Sequence, residues 1–355
     1  MKAWQLDWLG GELRFTDVPI PEPRPGSVLV KIEASALMSY LKAYVEGRLP
    51  AYLPPPGPFT IGTNGVGVVA AVGRDVWHLK PGQRVVLSSH FVAPENVEDP
   101  AQVLIGLTSS PQAAPVLADW PDGTLAEYAL LPVAAVTPAH GLDTFDAAQL
   151  VTIGRCIIPF GGLLRGRLAV GESVVVNGST GAYGTAAVLV AVAMGAARVI
   201  AAGRNARGLQ DVARAGGPRV VTVTLSGDVQ KDAAALRDAS GGGAHLAFDM
   251  VGQARDPNAT LAALHSLRRG GRLVLMGSMT TDLPIPYGAV MLNNWEILGQ
   301  FMSPAGAYRR LLDLLRAGML DISAIRPRAF PLADLPQAME LAAKAGNLEC
   351  VVMRP

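Results

Sequence analysis

Cysteine and charge are scarce in this chain of 355 residues. Cysteine occurs only twice, at Cys156 and Cys350, which excludes a disulfide framework and a four-cysteine zinc site. Charged residues make up 17% and leave a net charge of +1 with no basic block, so charge argues for neither a nucleic acid nor a membrane as partner. The longest uncharged apolar run, residues 185–197, is too short to span a bilayer. The start, MKAWQLDWLGG, has one lysine and no apolar core behind it. A cleavable signal is therefore not expected, and the cytoplasm is the expected compartment. Half of the residues are hydrophobic, which at this length suffices for two domains with cores of their own.

The most informative stretch is 173–205, SVVVNGSTGAYGTAAVLVAVAMGAARVIAAGRN. A β-branched run at 174–176 leads into Gly178, Gly181 and Gly184, then into an apolar run to Met194 long enough for a helix. A second short strand, 198–202, stops at Gly203, Arg204 and Asn205. Strand, glycine turn, helix and strand make one βαβ unit of a dinucleotide-binding sheet. A pyrophosphate needs close backbone approach, which glycine permits, and a helix N-terminus whose free N–H groups favour an anion. Turn residues 178–184 are the expected pyrophosphate site: Gly178, Ser179, Thr180, Gly181, Ala182, Tyr183 and Gly184. Where an NAD site usually has Asp or Glu for the ribose 2′-hydroxyl, this chain has Gly203-Arg204-Asn205, with Arg207 beyond. A carboxylate would repel a 2′-phosphate and an arginine fork binds one, so the expected cofactor is NADPH.

Residues 1–135 read as β-rich, with runs at 27–34, 65–72 and 84–88 between Pro-Gly turns. The segment LPAYLPPPGP, 49–58, is expected as a stiff extended loop, and 90–122 as a long irregular one. From about 136 the pattern alternates strand and helix: strands at 220–225, 245–250, 271–276 and 295–301, helices at 229–239 and 258–267. Residues 251–252 and 277–278 (Val251, Gly252, Gly277, Ser278) end two of these strands and complete the expected cofactor edge, since ligands of doubly wound sheets bind at the strands' carboxyl ends. Two amphipathic helices, 304–317 and 332–345, precede a last strand, 349–353, that suits the β-rich part better than the parallel sheet.

Seven stretches, VLVKIEASA (28–36), IGTNGVGVVAAVG (61–73), KPGQRVV (80–86), GTLAEYALLP (123–132), 171–184, FDMVG (248–252) and GGRLVLMG (270–277), follow one another in an order and spacing that resembles the medium-chain dehydrogenase/reductase superfamily over nearly the whole chain. The resemblance implies an α/β fold: a doubly wound parallel Rossmann sheet (136–302) inserted in a GroES-like β-barrel domain (1–135 and 303–355). It also implies a catalytic cleft between the two and a homodimer joined edge to edge near 295–301. Zinc enzymes of the superfamily carry Gly-His-Glu where this chain has Gly62-Thr63-Asn64, and cysteines near Met38 and Gly154. The four-cysteine lobe they carry would fall in 90–122, which has no cysteine. Met, Thr, Asn and Gly do not supply the ligands zinc prefers, so no metal is expected. Gly62-Thr63 and the tyrosine-proline loop around Tyr52 resemble the quinone oxidoreductase branch, although the acid of its Gly-Thr-Glu is Asn64 here.

Without a Lewis acid, hydride addition is easier to an electron-poor C=C or a quinone, whose charge spreads into an enolate or hydroquinone. The expected reaction is thus NADPH-dependent reduction of a small-molecule enone or quinone. Tyr40 and Tyr52 are the candidate hydrogen-bonding phenols, and Met38, Ser39 and Asn64 the expected pocket residues. The Tyr-x-x-x-Lys pair of short-chain reductases is absent, since none of the six lysines follows a tyrosine by four. Three alternatives stay open: a carbonyl or alcohol oxidoreductase using a side-chain acid, a non-catalytic NADPH-binding protein, and a zinc dehydrogenase with rearranged ligands, which would lose activity to a chelator.

Overall fold

The structure, a computed structural model, describes residues 1–355. Two compact units divide it. The first holds Met1–Gly154, Ile325–Ala345 and Glu349–Pro355, and the second Arg155–Ala324 with Gly346–Leu348.

In the first unit the strand Ser27–Ala36 is the hub. It pairs antiparallel with Gly65–Val72, Tyr128–Pro132 and Glu349–Arg354, so the chain's last strand does return to the β-rich part. Its apolar residues close a core with Val85, Leu87, Phe91, Ile105 and Leu117. The interval 90–122 is more regular than its sequence suggests. His90–Val92, Gln102–Leu104 and Thr108–Ser109 form a small antiparallel sheet beside the helix Ala114–Asp119. Strands of two or three residues show no period in the sequence, yet Phe91, Val103 and Leu117 anchor them in the core. The strand Arg326–Pro331 is not expected from the sequence, because Pro327 and Pro331 argue against a strand. Prolines are tolerated there because the strand is an edge, paired on one side only, with Glu349–Arg354.

The second unit carries six parallel strands in the spatial order Val220–Thr224, Arg198–Gly203, Ser173–Asn177, Ala244–Asp249, Leu267–Leu275, Glu296–Gly299. That is the doubly wound order, with its reversal beside Ser173–Asn177. All five residues of Ser173–Asn177 are buried, as expected of a central strand covered on both faces. The helix Ala182–Ala193 is apolar all round because it too is buried: nine of its residues are inaccessible.

The units meet along the chain later than the sequence pattern places the change. Val136–Pro138, beyond the expected boundary at 135, still pairs with Arg84–Leu87 in the first unit. The helix Gly154–Arg165 packs on the parallel sheet, since β-carbons on Gly162 would meet Phe248 at 2.4 Å and Met276 at 2.7 Å. At the other end, Ala307–Arg316 stays with the second unit, where Arg310 lies over the Phe160 ring at 5.6 Å. The return therefore begins at Ile325, not at 303. The one helical stretch long and apolar enough to cross a membrane, Ala147–Arg165, is 83% buried within the protein.

In the first unit, the fully buried Tyr44 donates its hydroxyl to the Leu107 carbonyl at 2.6 Å. Burial raises its pKa, so the phenol stays protonated as a donor. Tyr44→Phe is expected to leave that carbonyl unpaired and to cost about 1–3 kcal/mol in urea unfolding.

Candidate active site

The glycine turn is built by backbone crowding. Gly178 adopts φ +76°, a left-handed conformation, directly after the strand Ser173–Asn177. A β-carbon on Gly184 would stand 2.1 Å from the Gly178 carbonyl oxygen, so only glycine lets the helix begin this close to the strand end. Ser179 pins the turn to the neighbouring strand, its N–H and hydroxyl both donating to the Ala202 carbonyl at 3.0 and 2.9 Å. Thr185 donates to the Ser179 carbonyl at 2.8 Å. Gly181 caps the helix Ala182–Ala193 without a side-chain hydrogen bond, leaving its first N–H groups free for an anion.

The other expected cofactor residues converge on the same edge. A β-carbon on Gly178 would lie 3.1 Å from the Met250 carbonyl, and one on Gly277 only 2.1 Å from the Val251 oxygen. Gly252 approaches the Ser278 hydroxyl, 2.9 Å from where its β-carbon would be. Gly203 and Gly208 close around Thr180, with β-carbon positions 3.3 and 3.2 Å from its side chain. Asn205 caps the helix Ala206–Gly216, accepting from the Gly208 N–H at 3.0 Å. Asn205 is therefore a helix cap first. Arg204 and Arg207 are exposed beside it, their guanidinium groups engaged by no carboxylate. The cradle, the free helix end and the two cations fit a dinucleotide.

The FDMVG stretch, 248–252, adds one residue to this edge. Asp249 ends its strand 2% exposed and accepts hydrogen bonds from the Asn177 amide at 2.8 Å and the Thr260 hydroxyl at 3.1 Å. Burial pushes its pKa up to about 6, against the lowering effect of those hydrogen bonds. In sequence the signal is the acid itself: a carboxylate closing the buried strand Ala244–Asp249 must be satisfied inside the fold.

In the first unit, Met38 is buried, Ser39 exposed and Tyr40 half-buried just before the helix Leu41–Val45. Tyr40 and Tyr52 come together, ring centroids 6.1 Å apart, and Tyr44 joins edge-on to Tyr52 at 5.6 Å. Asn64 accepts weakly from the Ser89 N–H at 3.4 Å, while Thr63 is buried and its carbonyl accepts from Thr124. Asn64 also faces Gly154, where a β-carbon would come within 2.9 Å of its own. A metal-ligating cysteine at 154 would collide with that side chain. His90 shares a 3.1 Å hydrogen bond with Gln102, and burial lowers its pKa. No group of three or more His, Cys, Asp or Glu side chains is arranged to hold a metal. The residues at the superfamily's zinc position do not fit zinc.

Fold and site together define a two-domain dehydrogenase, and the chain belongs to the medium-chain dehydrogenase/reductase superfamily. The family model described as alcohol dehydrogenase GroES-like domain matches residues 24–141, and the zinc-binding dehydrogenase model matches 182–317. An alcohol dehydrogenase of Moraxella sp. (strain TAE123) is 31% identical over 96% of this chain and 95% of its own length. The sorbitol dehydrogenase of Macaca fascicularis is 27% identical over 96% and 93%. A structure from Sinorhizobium meliloti 1021 described as a zinc-binding dehydrogenase, bound to NADP, shares the fold with a TM-score of 0.79 at 20% identity, covering 100% of this chain and 99% of that one. The protein is thus an oxidoreductase of this superfamily with a nicotinamide-cofactor site.

Asp249 makes the stability depend on pH. Its pKa is raised in the fold, so its contribution is complete below about pH 4, falls as pH rises to about 6 and is flat above. Asp249→Asn should abolish this slope. Relative to wild type, the variant is expected to gain on the order of 3 kcal/mol in urea unfolding between pH 4 and pH 8.

Proposed function

We propose that this chain is an NADPH-dependent, zinc-independent reductase of an electron-poor C=C or a quinone, related to the quinone oxidoreductase branch. One observation carries the reading. The four positions that would hold a catalytic zinc are Met38, Thr63, Asn64 and Gly154, and Gly154 is filled against Asn64. With no metal to stabilise an alkoxide, the acceptor must delocalise its own charge, which an enone or quinone does.

A bound nicotinamide supplies the hydride. Residues 178–184 and the free helix end hold the pyrophosphate by backbone N–H groups, in the cradle that Gly178 and Gly184 keep open. Arg204 and Arg207 meet the 2′-phosphate. Tyr40 or Tyr52 donates its hydroxyl to the acceptor carbonyl, with Met38, Ser39 and Asn64 lining the pocket. A second reading, a carbonyl or alcohol oxidoreductase, draws support from the alcohol and sorbitol dehydrogenases among the relatives. It would need one of these phenols as a true proton donor.

NADPH oxidation with a quinone, an enone and an aldehyde separates the two. Chelator-resistant turnover of the quinone or enone is expected, whereas activity on the aldehyde alone would favour the second reading. Arg204→Ala should raise the KM for NADPH about 10- to 100-fold and leave that for NADH unchanged. Equal use of both cofactors by the wild type would end the 2′-phosphate argument.

The partner is proposed to be a second copy of the chain. Glu296–Gly299 is an open sheet edge, and beside it Tyr287, Leu292 and Phe301 are 81%, 69% and 56% exposed. Such an apolar edge invites continuation of the sheet across a dimer. Sedimentation should give a dimer for the wild type and a monomer for a Leu292→Glu/Phe301→Glu variant.

A further inference from the structure

Arg155 is 8% exposed, and its Nη1 is sealed from solvent without any hydrogen-bond partner. Half-buried arginines elsewhere have acceptors: Arg84 pairs with Glu33 at 2.9 Å, Arg272 with Glu172 at 2.6 Å, and Arg237 donates to the Leu267 and Gly242 carbonyls. No carboxylate pairs with Arg155. A guanidinium cannot shed its proton, so a buried one with no partner is costly until an anion reaches it.

The fold places this cation at the ligand edge of the parallel sheet. Along the helix Gly154–Arg165, Gly166 just past its end faces Leu246 and Val274, while Gly162 faces Phe248 and Met276. The helix therefore runs backward along the strands, and its first turn lies about 10 Å beyond Gly162, past the strands' carboxyl ends. Cys156, the next residue, and Tyr183 of the dinucleotide helix are both ionisable neighbours of the buried Tyr308. Arg155 thus stands at the same end of the sheet as the glycine turn.

We propose that Arg155 binds an oxyanion of the ligand, and that this is a carboxylate carried by the substrate next to its reducible C=C. The dinucleotide's own phosphates already have the helix N-terminus and the Arg204 side. Resting on the reading of the protein as an enone reductase, this narrows the substrate class to anionic enones. A planar guanidinium binds a carboxylate bidentately, which both attracts the substrate and sets the angle of its double bond.

The test compares 4-oxopent-2-enoate with its methyl ester as acceptors for NADPH, in the wild type, Arg155→Met and Arg155→Lys. The wild type should prefer the carboxylate about 100-fold in kcat/KM, through KM. Arg155→Met should erase that preference while keeping ester turnover within about threefold and NADPH affinity unchanged. Arg155→Lys, which keeps the charge, should retain part of it and stands in if the methionine variant does not fold. An unchanged preference in the variants, or none in the wild type, overturns the proposal. Weakened NADPH binding with the preference intact also overturns it, giving Arg155 to a cofactor phosphate. If neither acceptor is reduced, the enone reading fails, and calorimetry of the saturated 4-oxopentanoate on the protein–NADP⁺ complex decides separately. Binding lost in Arg155→Met upholds the anion site, and no binding, or equal binding in both, refutes it.

Discussion

The Gly178 carbonyl oxygen occupies the place where a β-carbon on residue 184 would stand, and the geometry of the cofactor edge follows from that crowding. With hydrogen in its place, the helix Ala182–Ala193 starts directly against the end of Ser173–Asn177. The free N–H groups of its first turn are thereby aimed across the carboxyl ends of the central strands. Gly277 against Val251 and Gly203 against Thr180 repeat the device at the neighbouring strand ends, so three loops meet with almost no side-chain bulk between them. The result is an edge made mainly of backbone, suited to a long anion.

Behind this edge the fold carries polar groups that cost stability. Asp249 keeps its carboxyl in an apolar interior with only Asn177 and Thr260 as side-chain donors, and the side-chain amide oxygen of Asn177, Oδ1, has no partner. Arg155 is a buried cation without an anion. Strain of this kind, concentrated on one side of a sheet otherwise packed with Val, Ala and Leu, marks where stability has been traded for recognition.

Much of the fold was legible because burial on both faces writes itself into composition. VVVN, RVIAA and HLAFD read as strands since a covered parallel sheet demands nearly unbroken apolar runs. The helix Val229–Ala239 has the bounds expected from the sequence, and the structure adds its cap, Asp228, which accepts from the Lys231 N–H. Elements that were missed have weak local signals. Arg326–Pro331 is a strand only because Glu349–Arg354 offers it an edge, and His90–Val92 only because Phe91 reaches the core. The boundary at Gly154 was hidden for the same reason: Val136–Pro138 belongs to the barrel through a pairing with residues some fifty positions earlier.

For the site, local sequence determined the glycine cradle, the cation beyond the second strand and the lack of zinc ligands at Met38, Thr63, Asn64 and Gly154, because each depends on residue type at a fixed place in a short motif. Tertiary structure decided what depends on distant residues meeting: the packing of Asn64 against Gly154, the clustering of Tyr40, Tyr44 and Tyr52, and the isolation of Arg155. An arginine's partner lies wherever folding brings an acid within reach. Whether it has one is therefore a property of the packed chain and cannot be read from its neighbours in sequence.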